Sequence, residues 1–131
     1  MKVVNKALLV EFRTAGACEY CKRPCRAREP HHLFTRGAGQ LDIRINLIAL
    51  GSAFQCTCHR ERHDGNILHC DMLAVVAARE NVLQDHITDV IHLLRRLPKK
   101  PRPWQIEEQL EHMGSARPLA VSVLQECWLI T

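Results

Sequence analysis

The sequence predicts an α+β fold in which a strand, turn, strand and helix segment lies between mostly α-helical N- and C-terminal segments. Three observations lead there. Residues 18–65 are irregular and dense in cysteine, histidine, glycine and basic residues, the composition of a segment with little regular structure. Beyond Met72, apolar residues recur at helical spacing. At 131 residues the chain is expected to be one domain, 1–131, with a thin core, since aromatic residues make up only 5% and Ala, Leu, Ile and Val must fill the interior.

The elements follow in order. Asn5 to Gly16 places Leu8, Leu9 and Phe12 at helical spacing, with Asn5 as a cap and Gly16 as a stop, so a short amphipathic helix delivers the chain to Cys18. Pro30 and His31 to Thr35 read as a short extended segment, Gly37-Ala38-Gly39 as a turn, Leu41 to Leu50 as a second extended segment, and Cys58 to His63 as the first turns of a helix. The extension 66–131 is expected to be helical. Met72 to Glu80 is rich in Ala and Val, and Ile87, Val90, Ile91 and Leu94 fall at i, i+3, i+4 and i+7 with Asp85 near the helix start. Leu97-Pro98 ends that helix. Lys99-Lys100-Pro101-Arg102-Pro103 is an extended basic connector, because each proline restricts itself and the residue before it. Trp104 to His112 forms another helix, and Pro118 to Ile130 a last apolar element whose type the pattern leaves open. Trp104 and Trp128 are expected in the core.

A net charge of +4 leans weakly toward nucleic acid. No apolar stretch approaches the roughly 20 residues of a bilayer-spanning helix, and Glu11 and Arg13 cut the N-terminal apolar run too short for a signal peptide, so a cytoplasmic protein without a membrane is expected. The chain has seven cysteines. An odd count in a reducing compartment favours thiolate ligands over bridges.

Cys18-x-x-Cys21 lets two thiolates from one tight turn reach a tetrahedral zinc ion, and Cys56 and Cys58 are the obvious second pair. The C-x-C spacing is tight, so Cys25 or a histidine is an alternative fourth ligand. Cys70 and Cys127 lack a partner pair and are expected in the core. On a helix, His59 and His63 lie at i and i+4 and can share one metal. His31 and His32 are neighbours on an extended segment and point to opposite sides, which suits a division between ligand and base. His69, His86, His92 and His112 are expected to be structural.

The order C-x-x-C, His31-His32, Asn46 and Cys-His59-x-x-x-His63 closely resembles the HNH endonucleases, over residues 18–65, and Phe34 to Gly39 is similar to small phage-encoded members. The resemblance implies a ββα-metal core with a structural zinc knuckle of Cys18, Cys21, Cys56 and Cys58. It implies a metal-dependent DNA endonuclease that hydrolyses phosphodiester bonds to 5′-phosphate and 3′-hydroxyl ends, nicking as a monomer. By position, His32 is the general base. His31 and His59 bind a catalytic divalent ion such as Mg²⁺ or Mn²⁺, with His63 as a third ligand or a phosphate contact, and Asn46 orders the loop beneath His32; His32, Asn46 and His59 form the catalytic set. Family members often carry an acid where this chain has His31, which leaves the role of Glu29 open, and Gly51 to Gln55 lengthens the approach to Cys56. Lys22, Arg23, Arg26, Arg28, Arg36, Arg60 and Arg62 flank the site and are candidate phosphate contacts, with Arg36, Arg60, Arg62 and Arg28 foremost. DNA is the implied partner, with a phage terminase or packaging protein a further one. The alternative is a zinc-stabilised DNA-binding module without catalysis.

Overall fold

A computed structural model describes residues 1–35, 40–52 and 56–128. The Gly37-Ala38-Gly39 turn and Arg36 lie outside the described residues. The chain is mixed helix and sheet, with two small antiparallel sheets.

Helix α1 (Lys6–Arg13) begins where the Asn5 side chain accepts the Leu8 N–H at 3.0 Å, which satisfies a backbone donor that no helical carbonyl can reach. Strands β1 (Gly16–Ala17) and β2 (Pro24–Cys25) form a minimal hairpin around the Cys18 to Cys21 turn. Strands β3 (Arg28–His32) and β4 (Leu47–Gly51) then pair antiparallel from Arg28 opposite Gly51 to His32 opposite Leu47.

Every residue of β4 is buried, and its alternation explains why. Leu47 and Ala49 pack with Leu8 and Phe12 of α1, whereas Ile48 and Leu50 face the main core. Since successive strand residues point to opposite faces, a strand covered on both sides must be apolar throughout.

Leu41 to Leu50 is not extended along its whole length. Only Leu47–Gly51 is strand; Arg44–Asn46 is a 3-10 turn, and Leu41 makes a single bridge to Val3. Asp42 and Asn46 cause the break, because their side chains hydrogen-bond loop backbone and draw residues 42–46 out of the ladder.

Helix α2 (Cys58–His63) buries no residue. The rest is helical: α3 (His69–Glu80), α4 (Gln84–Arg96), α5 (Pro103–Glu111) and α6 (Arg117–Glu126), with a 3-10 turn at Gly114–Ala116. The last apolar element is thus helix over Arg117–Glu126, and Ile130 lies outside the described residues. Asn81, left-handed at φ 54°, ends α3. Helix α4 is central, burying Ile87, Val90, Ile91, Leu93 and Leu94 and packing on α3 and α6.

Two expectations about burial fail on helix phase. Trp104 is 63% exposed, since α5 buries Ile106 and Leu110 and a residue two positions before Ile106 sits on the opposite face. Cys70 is exposed because α3 turns Met72, Leu73, Val76 and Ala77 inward. Trp128 is exposed as well, and Cys127 is half-buried. Replacing fully buried Ile91 or Leu94 by Ala is expected to cost about 2–5 kcal/mol in urea unfolding, while Trp104→Ala should stay within about 0.5 kcal/mol.

Candidate metal centres

The hairpin and the start of α2 bring Cys18, Cys21, Cys56 and Cys58 together, with all four sulfurs within 4.8 Å of one another. The Cys21 and Cys56 sulfurs are 3.3 Å apart. A tetrahedral ion with bonds of about 2.3 Å to sulfur sets its ligands about 3.8 Å apart, so the group fits zinc. The turn is locked by Cys18 N–H to the Arg23 carbonyl and Lys22 N–H to the Cys18 carbonyl, both 2.9 Å, with Lys22 left-handed at φ 66°.

Protonation at this group is divided. Burial raises the Cys18 thiol, but N–H groups of Cys21 and Gly51 and the Cys56 thiol more than offset it and bring it to about 7. Burial together with the neighbouring sulfurs pushes Cys58 up, and burial does the same for Cys21. Four crowded thiols cannot all ionise alone, and a divalent cation removes that obstacle.

Gly51 is fixed by this packing. A Cβ there would fall 2.5 Å from the Cys56 sulfur and 2.6 Å from the Cys25 sulfur, inside contact distance of both. Cys25 is buried, donates to the Arg23 carbonyl at 3.3 Å and stays outside the group of four.

What carries the Cys18 turn to β4 is Glu19. Its N–H donates to the Ala49 carbonyl and its carboxylate accepts the Ala49 N–H, both at 2.9 Å. Arg79 of α3 then grips Glu19 at 2.8 Å, donates to the Leu47 carbonyl at 2.9 Å and lies over the Phe12 ring. The sequence offers no local signal for this clamp, since Glu19 and Arg79 are far apart in the chain.

A second group joins β3 to α2. His31, His59 and His63 each present a ring nitrogen, all within 4.8 Å of one another, and the His59 and His63 Nε2 atoms are 3.2 Å apart. Burial, then the charges of Arg62, His63, His59 and His32, hold His31 down at about 4. Burial and His63 likewise lower His59, against a weaker pull from Glu29. Both rings therefore offer neutral lone pairs near pH 7, as a metal ligand must. Glu29 is outside the group and pairs with Arg13 at 3.6 Å.

His32, the last residue of β3, turns elsewhere. Its Nε2 lies 2.7 Å from Oδ1 of Asp42, whose side chain is 0% exposed. The other oxygen, Oδ2, accepts the Asn5 N–H at 2.9 Å and Gln40 Nε2 at 2.8 Å. A carboxylate only accepts, so His32 donates from Nε2, and in the neutral ring Nδ1 is the free acceptor. Sequence reasoning missed Asp42; the available signal was a carboxylate inside the apolar run Leu41 to Ile43. Asn46 is fully buried beneath this corner. It accepts the Phe34 N–H at 2.8 Å and donates to the carbonyls of Leu41 at 3.0 Å and Phe34 at 3.3 Å, which ties both ends of the loop following His32.

The arginines divide. Arg28 donates to the backbone carbonyls of Thr14 at 2.7 Å, Ala17 at 3.1 Å and Glu11 at 3.4 Å, closing the end of α1. Arg62 donates to the Ile67 carbonyl at 2.8 Å, while its buried Nε has no partner among the described residues. Arg60 is mostly exposed and loosely paired with Asp64 at 3.8 Å.

Compared with family models, curated proteins and solved structures, the chain matches none.

Gly51→Ala should displace Cys56 and lower the zinc retained after gel filtration, read by elemental analysis, and should lower Tm. A Tm and zinc content equal to the parent's would contradict the packing at Gly51.

Proposed function

We infer that the chain is a metal-dependent DNA endonuclease in which β3, β4 and α2 form a ββα-metal core of the HNH type. The observation that carries this reading is the corner of β3: His31 joins His59 and His63 in a set of imidazoles, and the next residue, His32, is held by a buried carboxylate. Structural packing has little use for such an arrangement, since each ring buried without a partner costs free energy. Hydrolysis of a phosphodiester needs a base for the attacking water and a cation for the charge that develops on the phosphate.

His32 supplies the base. Asp42 fixes the tautomer and ring orientation, so that Nδ1 accepts the proton of the water, and stabilises the imidazolium that results. Asn46 holds residues 34 and 41 in place around that ring. His31, His59 and His63 would hold a divalent ion, which when bound supplies Lewis-acid charge at the scissile phosphate. Three neutral imidazoles without a carboxylate suit Zn²⁺ or another borderline transition ion better than Mg²⁺, which prefers oxygen ligands. Arg60 and Arg62 follow His59 on α2, where cations would hold the flanking phosphates.

The non-catalytic reading, a zinc-stabilised DNA-binding module, draws on one observation: the His32 side chain is only 10% exposed. Relaxation of supercoiled plasmid separates the two. The parent should nick; His32→Ala should slow nicking by about 10²–10⁴-fold while zinc content and circular dichroism stay unchanged. Parental nicking by His32→Ala would overturn the assignment of the base.

Asp42→Asn is the finer test. Asn5 and Gln40 both require an oxygen at that side chain, so the amide NH₂ would face His32 and drive the ring proton to Nδ1. Nicking should fall by roughly tenfold or more with little change in DNA affinity. Added to protein freed of ions at the histidine group, Zn²⁺, Mn²⁺ and Mg²⁺ should bind in decreasing order of affinity by calorimetry.

A further inference from the structure

Both tryptophans of the chain stand in solvent, Trp104 63% and Trp128 92% exposed. Large aromatic rings are rarely left so bare without a partner to cover them. Trp128 also sits at φ 64°, a left-handed conformation that a bulky residue adopts at a cost, and its ring gains almost no packing in return.

Cations lie beside Trp128 and along the chain that leads to Trp104. Trp128 lines a shallow cavity of about 460 Å³ with Lys2, Val4, Asn5, Lys99 and Glu126. Lys99 opens the connector Lys99-Lys100-Pro101-Arg102-Pro103, which leads directly to Trp104 in the first turn of α5. Lys99, Lys100 and Arg102 are exposed, and none has an ion-pair partner among the described residues. The prolines stiffen the connector, so its cations are spaced out. Among the described residues the one acid of the cavity is Glu126, which accepts the Arg44 N–H at 3.0 Å.

This surface also shares a wall with the candidate site. Asn5 lines the cavity, and its N–H binds the Asp42 carboxylate that holds His32.

We propose that Lys2, Lys99, Lys100 and Arg102 with Trp128 and Trp104 form a binding surface for single-stranded nucleic acid, in which unpaired bases stack on the indoles and phosphates lie along the cations. The proposal rests on the nuclease reading and adds that the substrate carries an unpaired segment. Duplex DNA satisfies the cations but hides its base faces from an indole, whereas every unpaired base offers one.

The test uses the intrinsic fluorescence of the zinc-loaded chain carrying His59→Ala, so that nothing is cut. It is titrated with a single strand of about 12 nucleotides, with the matching duplex, and with phosphatidylserine vesicles. The single strand should quench strongly and bind tighter than the duplex. Trp128→Ala should weaken single-strand binding about tenfold, and Lys99→Gln should reduce the salt dependence by about one counterion. Equal affinity for duplex and single strand, a response to vesicles alone, or unchanged affinity in both Trp128→Ala and Trp104→Ala would overturn it. Plasmid nicking by the parent without single-strand quenching sinks this surface and spares the nuclease; quenching without nicking does the reverse.

Discussion

The covering of β4 on both faces is the constraint from which the rest of the structure hangs. Leu47 and Ala49 hold α1, Ile48 and Leu50 hold the helical layer, and neither side can shift without opening the other. Everything with chemistry is then attached to this strand. β3 pairs along it and ends in His31 and His32; Glu19 binds Ala49 and so brings the Cys18 turn alongside; Gly51 ends the strand against Cys25 and Cys56. A close-packed wall of this kind yields little to displacement, which suits groups that must meet to within fractions of an ångström.

The two ligand groups solve different electrostatic problems. The sulfurs are crowded so closely that their protons are lost unequally, with Cys18 low and Cys58 high. His31 is held down by burial, then by Arg62 and the neighbouring imidazoles, and His59 by burial and His63. A cation resolves the first and finds two rings of the second already disposed to the neutral form. His32 stands apart from both, with a carboxylate as its partner.

How much of this was legible in the sequence depended on whether the signal was local. Cys18 with Cys21, Cys56 with Cys58, and His59 with His63 are short-range pairs whose spacing alone limits what they can reach. The apolar face of α4 was equally plain, because Ile87, Val90, Ile91 and Leu94 repeat at helical period. What escaped was set by distant partners or by phase. Asp42 looks like an interruption until His32 and Asn5 are placed around it. Arg28 shows no partner in the sequence until α1 ends beside it. Trp104 looks like core until the neighbouring Ile106 and Leu110 fix which face of α5 turns inward.

Helix α2 has six residues and buries none of them. A helix that short does not hold itself together in water, since its nucleation cost is spread over too few hydrogen bonds. Besides its packing on β4 and β3, half of its residues are candidate ligands: Cys58 belongs to the sulfur group, and His59 and His63 to the imidazole group. The two groups therefore share one ordering cost, about 1–2 kcal/mol for each residue fixed. An ion on the thiolates leaves a formed helix for the imidazoles, and an ion on the imidazoles returns the favour by an equal amount, as linkage requires. Ions in the two groups would thus be coupled through a single turn and a half of backbone.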